Sequence, residues 1–295
     1  MSESAFMWIA AFWMAAVGGA VGSFLNVVVY RLPAGLSLSY PGSHCPQCRH
    51  PIRWHDNVPV FGWIMLAGRC RDCRTWIPLR YPLVEAVTAA LFLLIAFTEG
   101  ATLGGNLPVR PLPVVDGFIF PELTLWQLAG TMGWHLLLLC TLLAASLIRY
   151  DGHQVPPRLF LPGMIVAVVG SLVWPHLHPQ PAGILTTGPV PGLVDALAGL
   201  SAGAVMGLIG WWLLERDQKP DLIWSSALAG AMLGWQAAVA VGGTTILLAL
   251  ASRIAGRLHA PWRRVPPVAW LGLGSLVWIV HWRWLAETIF GTIVG

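Results

Sequence analysis

The sequence predicts an all-α polytopic integral membrane protein with about eight transmembrane helices. Three observations carry that reading. Hydrophobic residues make up 56% of the 295 and charged residues only 10%, against roughly 25% charged in soluble proteins. So few charges cannot clothe a soluble protein of this size. Charge-free apolar runs recur along the chain, and many of its 17 Trp fall near their ends, where amphipathic rings suit a membrane interface.

The first run, Phe6 to Tyr30, has 25 residues without a charge. A bilayer core takes roughly 20 residues of helix, so this is one span. It is expected to be retained, because a basic n-region and a small-residue cleavage site are both missing. Tyr81–Phe97, Leu123–Ile148, Leu159–Trp174, Pro191–Leu214 and Val265–Trp282 follow as spans. Leu222–Ser252 would be about 46 Å long as one helix, too long for a core of about 30 Å. Two passes there would break near Gly234-Trp235-Gln236.

Charge decides between one pass and two. The loop after the first span carries Arg31, Arg49, Arg53, Arg69, Arg71, Arg74 and Arg80, which the positive-inside rule makes cytoplasmic. Segment 98–122, with Glu99, Asp116 and Glu122 against Arg110, faces out, as does 175–190 without Lys or Arg. Arg149 and Arg158, Arg216 and Lys219, and Arg253, Arg257, Arg263 and Arg264 all fall inside only if 222–252 crosses twice. Eight spans then leave Arg110 and Arg283 as the exceptions among 17 Lys and Arg. The division expected is 1–97 (first helix, cysteine-rich loop, second helix), 98–122 (extracytoplasmic loop) and 123–295 (six-helix membrane domain). No internal repeat or low-complexity segment is expected.

Cys45-Pro-Gln-Cys48 is followed after 21 residues by Cys70-Arg-Asp-Cys73. Two C-x-x-C pairs at this spacing read as a tetrahedral thiolate zinc site. Disulfides are disfavoured in the reducing cytoplasm, and nearby arginines favour thiolate over thiol. Four sulfurs leave no open coordination position, so the metal is structural. Cys140, inside an apolar run, reads as a small core residue.

These residues resemble the type IV prepilin peptidases, polytopic aspartic proteases that trim the leaders of pilin-like proteins. Gly22-Ser-Phe-Leu-Asn-Val-Val-Val-Tyr-Arg-Leu-Pro33 is similar to the family's G-S-F-L-N-V-x-x-x-R-L-P. Trp54-His-Asp-Asn-Val-Pro59, Gly68-Arg-Cys-Arg-Asp-Cys73 and Arg80-Tyr-Pro-Leu-Val-Glu85 match the cysteine-rich loop and the next helix. Gly230-Ala-Met-Leu-Gly-Trp-Gln236 and the segment from Val265 to Leu276 fit more loosely. The resemblance implies cleavage of a prepilin or pseudopilin leader. It also permits methylation of the new N-terminus from S-adenosylmethionine.

Such cleavage needs two carboxylates, one activating water and the other polarising the scissile carbonyl. In the family one lies in I-D-x-x-x-x-x-(I/L)-P-(D/N) and the other in G-x-G-D. The first segment corresponds to Leu147-Ile-Arg-Tyr-Asp-Gly-His-Gln-Val-Pro-Pro157. Aligned on Val155-Pro156, it puts Arg149 at the catalytic position and Asp151 two residues later. Aligned on Gly230 and Gly234, the second puts Leu222 at the aspartate, with Asp221 just before it. The candidate pair is therefore Asp151 and Asp221. The other reading makes Asp151 a loop residue and Asp221 a charge at a helix N-terminus after Pro220. Two functions stay open: an active leader peptidase, or a paralogue that binds prepilins or assembly partners without cutting.

The remaining residues receive structural readings. Glu85 pairs with a loop arginine or anchors its span. Gly18-Gly19-x-x-Gly22 serves helix packing. His135 and His281 are packed helix residues, and His176 and His178 lie in an outer loop. The basic loop faces anionic lipid, not nucleic acid. The expected location is the inner (plasma) membrane, with the cysteine-rich loop and the reaction centre on the cytoplasmic side.

Overall fold

The computed structural model describes residues 3–108, 124–174, 177, 189–214, 220–256 and 265–290. The described residues are mostly helical and contain no sheet. The chain divides into two compact units, Met1–Phe97 and Thr98–Gly295.

The first unit is built on α1 (Glu3–Arg31) and α3 (Arg80–Ile95), with the cysteine-rich loop and the short α2 (Phe61–Met65) between them in sequence. Small residues let α1 and α3 approach closely, as expected of the Gly18/Gly22 face. A Cβ on Gly18 would stand 2.8 Å from Ala89 Cα, and one on Gly22 2.7 Å from Glu85 Cα.

The second unit contains α4 (Leu125–Tyr150), α5 (Leu161–Val173), α6 (Pro189–Leu214), α7 (Asp221–Leu233), α8 (Trp235–Ala255), α9 (Pro267–Val280) and α10 (Trp282–Phe290). Thr124 caps α4 with Gln127 in a reciprocal capping box. Helices α6 and α7 meet along glycines. A Cβ on Gly199 would stand 2.0 Å from Gly230 O, and one on Gly203 2.1 Å from Ser226 O.

The predicted break in 222–252 falls at Gly234, whose φ of 89° ends α7 and starts α8. Only glycine takes that conformation without strain. The Arg253 guanidinium at the end of α8 donates to the Leu214 carbonyl at the end of α6. The chain therefore doubles back at Gly234, and α8 ends beside the end of α6. Each predicted apolar run is a helix, but among the described residues five helices are long and apolar enough to cross a membrane. Helices α5, α7 and α9 have 13, 13 and 14 residues. Thirteen residues of helix rise only about 20 Å. The chain is a multi-pass membrane protein, with five candidate membrane-spanning helices among the described residues.

Two findings depart from expectation. Glu99, read as a charge on an outer loop, is fully buried in a π-helical turn, Ala96–Gly100. Its Oε1 lies 2.6 Å from Nδ1 of the equally buried His135. His135 is thus a packed helix residue, as expected, and Glu99 is its partner. The sequence reading also stops at Trp282, where the structure adds α10. Asn106 braces that joint, donating to Ile279 O (2.7 Å) and accepting from the Arg283 amide (2.8 Å). Arg110, Asp116, Glu122, His176, His178, Glu215, Arg216, Asp217, Lys219, Arg257, Arg263 and Arg264 lie outside the described residues.

Candidate metal centre and candidate active site

The cysteine-rich loop folds as two copies of one turn, 25 positions apart. Cys45 N donates to His50 O (3.0 Å) and Arg49 N to Cys45 O (2.9 Å). Cys70 N donates to Thr75 O (2.8 Å) and Arg74 N to Cys70 O (3.0 Å) in the same way. Isolated bridges His44–Pro51 and Arg69–Trp76 close the two copies. Arg49 and Arg74 both take the left-handed conformation, at φ 60° and 59°. No repeat was expected. The signal for it is Cys-x-x-Cys-Arg-x-x-Ile at 45–52 and again at 70–77.

The two turns face each other and bring Cys45, Cys48, Cys70 and Cys73 together. Their four sulfurs lie within 4.8 Å of one another, with Cys45–Cys73 at 3.8 Å and Cys48–Cys70 at 4.0 Å. A tetrahedral ion with Zn–S of about 2.3 Å needs sulfurs about 3.8 Å apart. The residues fit a metal ion. The Cys48 amide beside Cys45 holds that thiol down to about 7, so one thiolate is available near neutral pH.

Around this centre the loop is tied by polar contacts. The Asp56 carboxylate takes the fork of the Arg71 guanidinium, at 2.6 Å from Nε. That bond, helped by desolvation-opposed Coulomb attraction, holds Asp56 below the usual carboxylate range. Val60 sits at φ 63°, ψ −52°, at the centre of a γ-turn closed by Phe61 N to Pro59 O (2.7 Å). A β-branched residue is strained there. Glu85 holds the turn by accepting the Val60 amide at 2.7 Å, so its partner is backbone and not an arginine. An open groove of about 280 Å³ beside the end of α1 is lined in part by Ser23, Arg31, Ser43 and Asn57.

The second site is at the end of the bundle where α4 stops and α7 starts. Tyr150-Asp-Gly-His153 ends α4 in a Schellman motif. Gly152 takes φ 81°, its amide reaches Arg149 O (2.9 Å), and the His153 amide reaches Ile148 O (3.1 Å). This sharp stop turns the chain back across α7, and the Val155 amide donates to Asp221 Oδ2 at 3.3 Å.

Asp221 is the first residue of α7, after Pro220, and is 2% exposed. The unpaired amides of a helix start favour a carboxylate there. Arg149 reaches it from the last turn of α4, with Nε 3.4 Å from Asp221 Oδ2. The Arg149 and Asp221 side chains are only 10% and 3% exposed. Asp151 caps α4 and is exposed. Two residues further along a helix, it lies about 200° around the axis from Arg149. Leu222, beside Asp221, is buried. The sequence points to positions 149 and 221 separately. Their contact is the part it does not reveal.

The profile of the Bacterial Peptidase A24 N-terminal domain matches residues 16–98. The chain is 32% identical over 231 residues to a prepilin leader peptidase/N-methyltransferase of Klebsiella pneumoniae, covering 75% of this chain and 83% of that protein. It is 31% identical over 249 residues to one of Pseudomonas putida, covering 75% and 72%. With a type 4 prepilin-like proteins leader peptide-processing enzyme of Escherichia coli O78:H11 it shares 37% over 171 residues, about half of each chain (52% and 53%). No solved structure matches. The glycine face, the doubled cysteine turn and the similarity across both units agree: the chain belongs to the prepilin leader peptidase/N-methyltransferase family.

Proposed function

We propose that this protein is a membrane endopeptidase that removes the leader of a prepilin or pseudopilin. The observation that carries the reading is Asp221, a buried carboxylate at a helix start, in a chain 32% identical to a leader peptidase over 75% of its length. The proposed chemistry is aspartic, with Asp151 and Asp221 carried forward as its acid–base pair. The proposed location is the inner membrane, with eight crossings. The cysteine loop and the α4/α7 end would face the cytoplasm, where a basic leader is presented ahead of an apolar helix.

The four cysteines would hold zinc, which ties the two turns together and leaves chemistry to other residues. The relatives' second named activity supports methyl transfer to the new N-terminus from S-adenosylmethionine. Arg31, in the groove beside α1, is a cation suited to that donor's carboxylate.

One observation favours a second reading. Arg149 occupies the contact position on Asp221, and an arginine cannot share a proton with it. A paralogue that binds prepilins without cutting would tolerate that pair. The deciding experiment incubates purified protein in lipid nanodiscs with a prepilin from the same source. The proposal expects a shortened product that disappears with Asp221→Asn. Binding without a shortened product would support the second reading instead.

A further inference from the structure

Between the two cysteine turns, residues 57–68 carry no charge, and Asp56 and Arg69 border them. The charge pattern alone places this run, which includes α2, in the cytoplasm with the rest of the loop. We propose that it instead dips into the bilayer as a re-entrant segment. Phe61, Ile64 and Met65 of α2 then lie against lipid acyl chains, in the leaflet on the loop's own side.

The depth follows from contacts within the first unit. A Cβ on Gly22 would meet Glu85, and one on Gly18 would meet Ala89. Helices α1 and α3 are therefore antiparallel, with Gly19 level with about Thr88. A Cβ on Gly19 would stand 3.1 Å from the Pro59 Cβ, so Pro59 is at that same level. Thr88 lies eight residues past Arg80, or about 12 Å along the helix. Both helices belong to stretches long and apolar enough to cross a membrane. Pro59, just before α2, thus stands beside the flank of the two spans and not beyond their ends.

The side chains of α2 suit that position. Phe61, Ile64 and Met65 share one face at helical spacing, and they are 66%, 59% and 81% exposed. The other side is packed on the loop. The Trp63 indole donates to Ile77 O at 2.9 Å, and a Cβ on Gly62 would stand 2.2 Å from Asp56 O. Three large apolar side chains side by side are costly in water and cost nothing in lipid. The open groove beside α1 includes none of the three. No concavity shapes them for a partner helix, whereas acyl chains need no fit.

The backbone meets the same demand, since hydrocarbon offers an amide no water to bond. Pro59 has no amide hydrogen. Phe61, Gly62, Ile64, Leu66, Ala67 and Gly68 donate within the run, and Val60 donates to Glu85 Oε2 at 2.7 Å. A carboxylate within a span is costly. Glu85 has a reason to be there, as the acceptor for the strained Val60 turn at a depth where water cannot serve. The run leaves the bilayer at Arg69, which is exposed and suited to an anionic headgroup.

The test is photocrosslinking of the full chain in phospholipid nanodiscs, which does not depend on cleavage. Benzoylphenylalanine replaces Phe61 or Met65, and Val87 and Tyr40 serve as references. Val87 is exposed on the span of α3, and Tyr40 is exposed in the loop. After irradiation, the Phe61, Met65 and Val87 positions are expected to gain the mass of one phospholipid, and the Tyr40 position to gain none. Met65→Asp should lower the Tm in nanodiscs, while Tyr40→Asp leaves it unchanged. Lipid adducts at Val87 but at neither α2 position overturn the proposal. So does an unchanged Tm in Met65→Asp. A crosslink from Met65 to added prepilin in place of lipid also overturns it, and assigns the face to the substrate helix.

Discussion

The cysteine loop of the first unit and the α4/α7 end of the second are built on opposite plans. The loop is local and repeated: two eight-residue turns, each with its own backbone hydrogen bonds, present two sulfurs apiece. Within a turn, spacing alone sets the geometry. The α4/α7 end is assembled from Arg149, Val155 and Asp221, and only helix packing brings them together. A site of the first kind should fail when one ligand is lost. One of the second kind should fail when a charge loses its counterpart.

The largest effect is expected from Cys45→Ser or Cys70→Ser. Either should take bound metal, measured by elemental analysis, from about one ion per chain to almost none. Structural zinc contributes on the order of 10 kcal/mol to folding, so the loop should also become protease-sensitive. Equal metal content in variant and parent would break the comparison at its first arm.

Next is the ion pair. Arg149→Met leaves the Asp221 charge buried without its guanidinium and should cost roughly 3–5 kcal/mol. Adding Asp221→Asn should restore much of that, as read by unfolding of single and double variants. Strict additivity would mean that the pair does not couple. Gly199→Ala should cost about 1–3 kcal/mol, because its Cβ would meet Gly230 O at 2.0 Å. Proteolysis between α6 and α7 should report the loosening. Unchanged stability would mean that these two helices are not in backbone contact.

The smallest effects are in the polar ties of the loop. Glu85→Gln weakens the acceptor of the Val60 amide and should cost about 1 kcal/mol, with limited proteolysis near Val60 as the readout. The Asp56–Arg71 pair is smaller still. Arg71 depresses the Asp56 value in the folded state. Its contribution is therefore full above the unfolded value of about 3.9 and is lost only as pH falls through the lower folded one. The stability gap between parent and Arg71→Met should be constant from pH 7 to about 5 and shrink below about 4. A gap that closes nearer neutrality would identify another group.

What the sequence makes legible follows the same divide. Cys45, Cys48, Cys70 and Cys73 announce their geometry through spacing, and the Gly234 break through length and charge. Gly152 stops α4 by taking φ 81°, but the register of the loop that follows is set by its packing on α7, through Val155 and Asp221. Glu99 and His135 were unreadable as a pair. Nothing local distinguishes a glutamate that continues a helix as a π turn from one that leaves it for solvent. The Arg149–Asp221 contact was unreadable for a related reason, since alignment places residues on a motif and only packing decides which side chains meet.

The shortness of α7 has a consequence for the bilayer itself. A helix of about 20 Å cannot reach both faces of a slab about 30 Å thick, so if α7 lies across the bilayer one of its ends is submerged. If that end is Asp221, the ion pair lies below the headgroups. The lipid must then thin locally, or water must fill a pit down to it. Cleavage would then happen in a dimple of the membrane, reached by the unwound start of a substrate helix and closed to one that stays fully coiled.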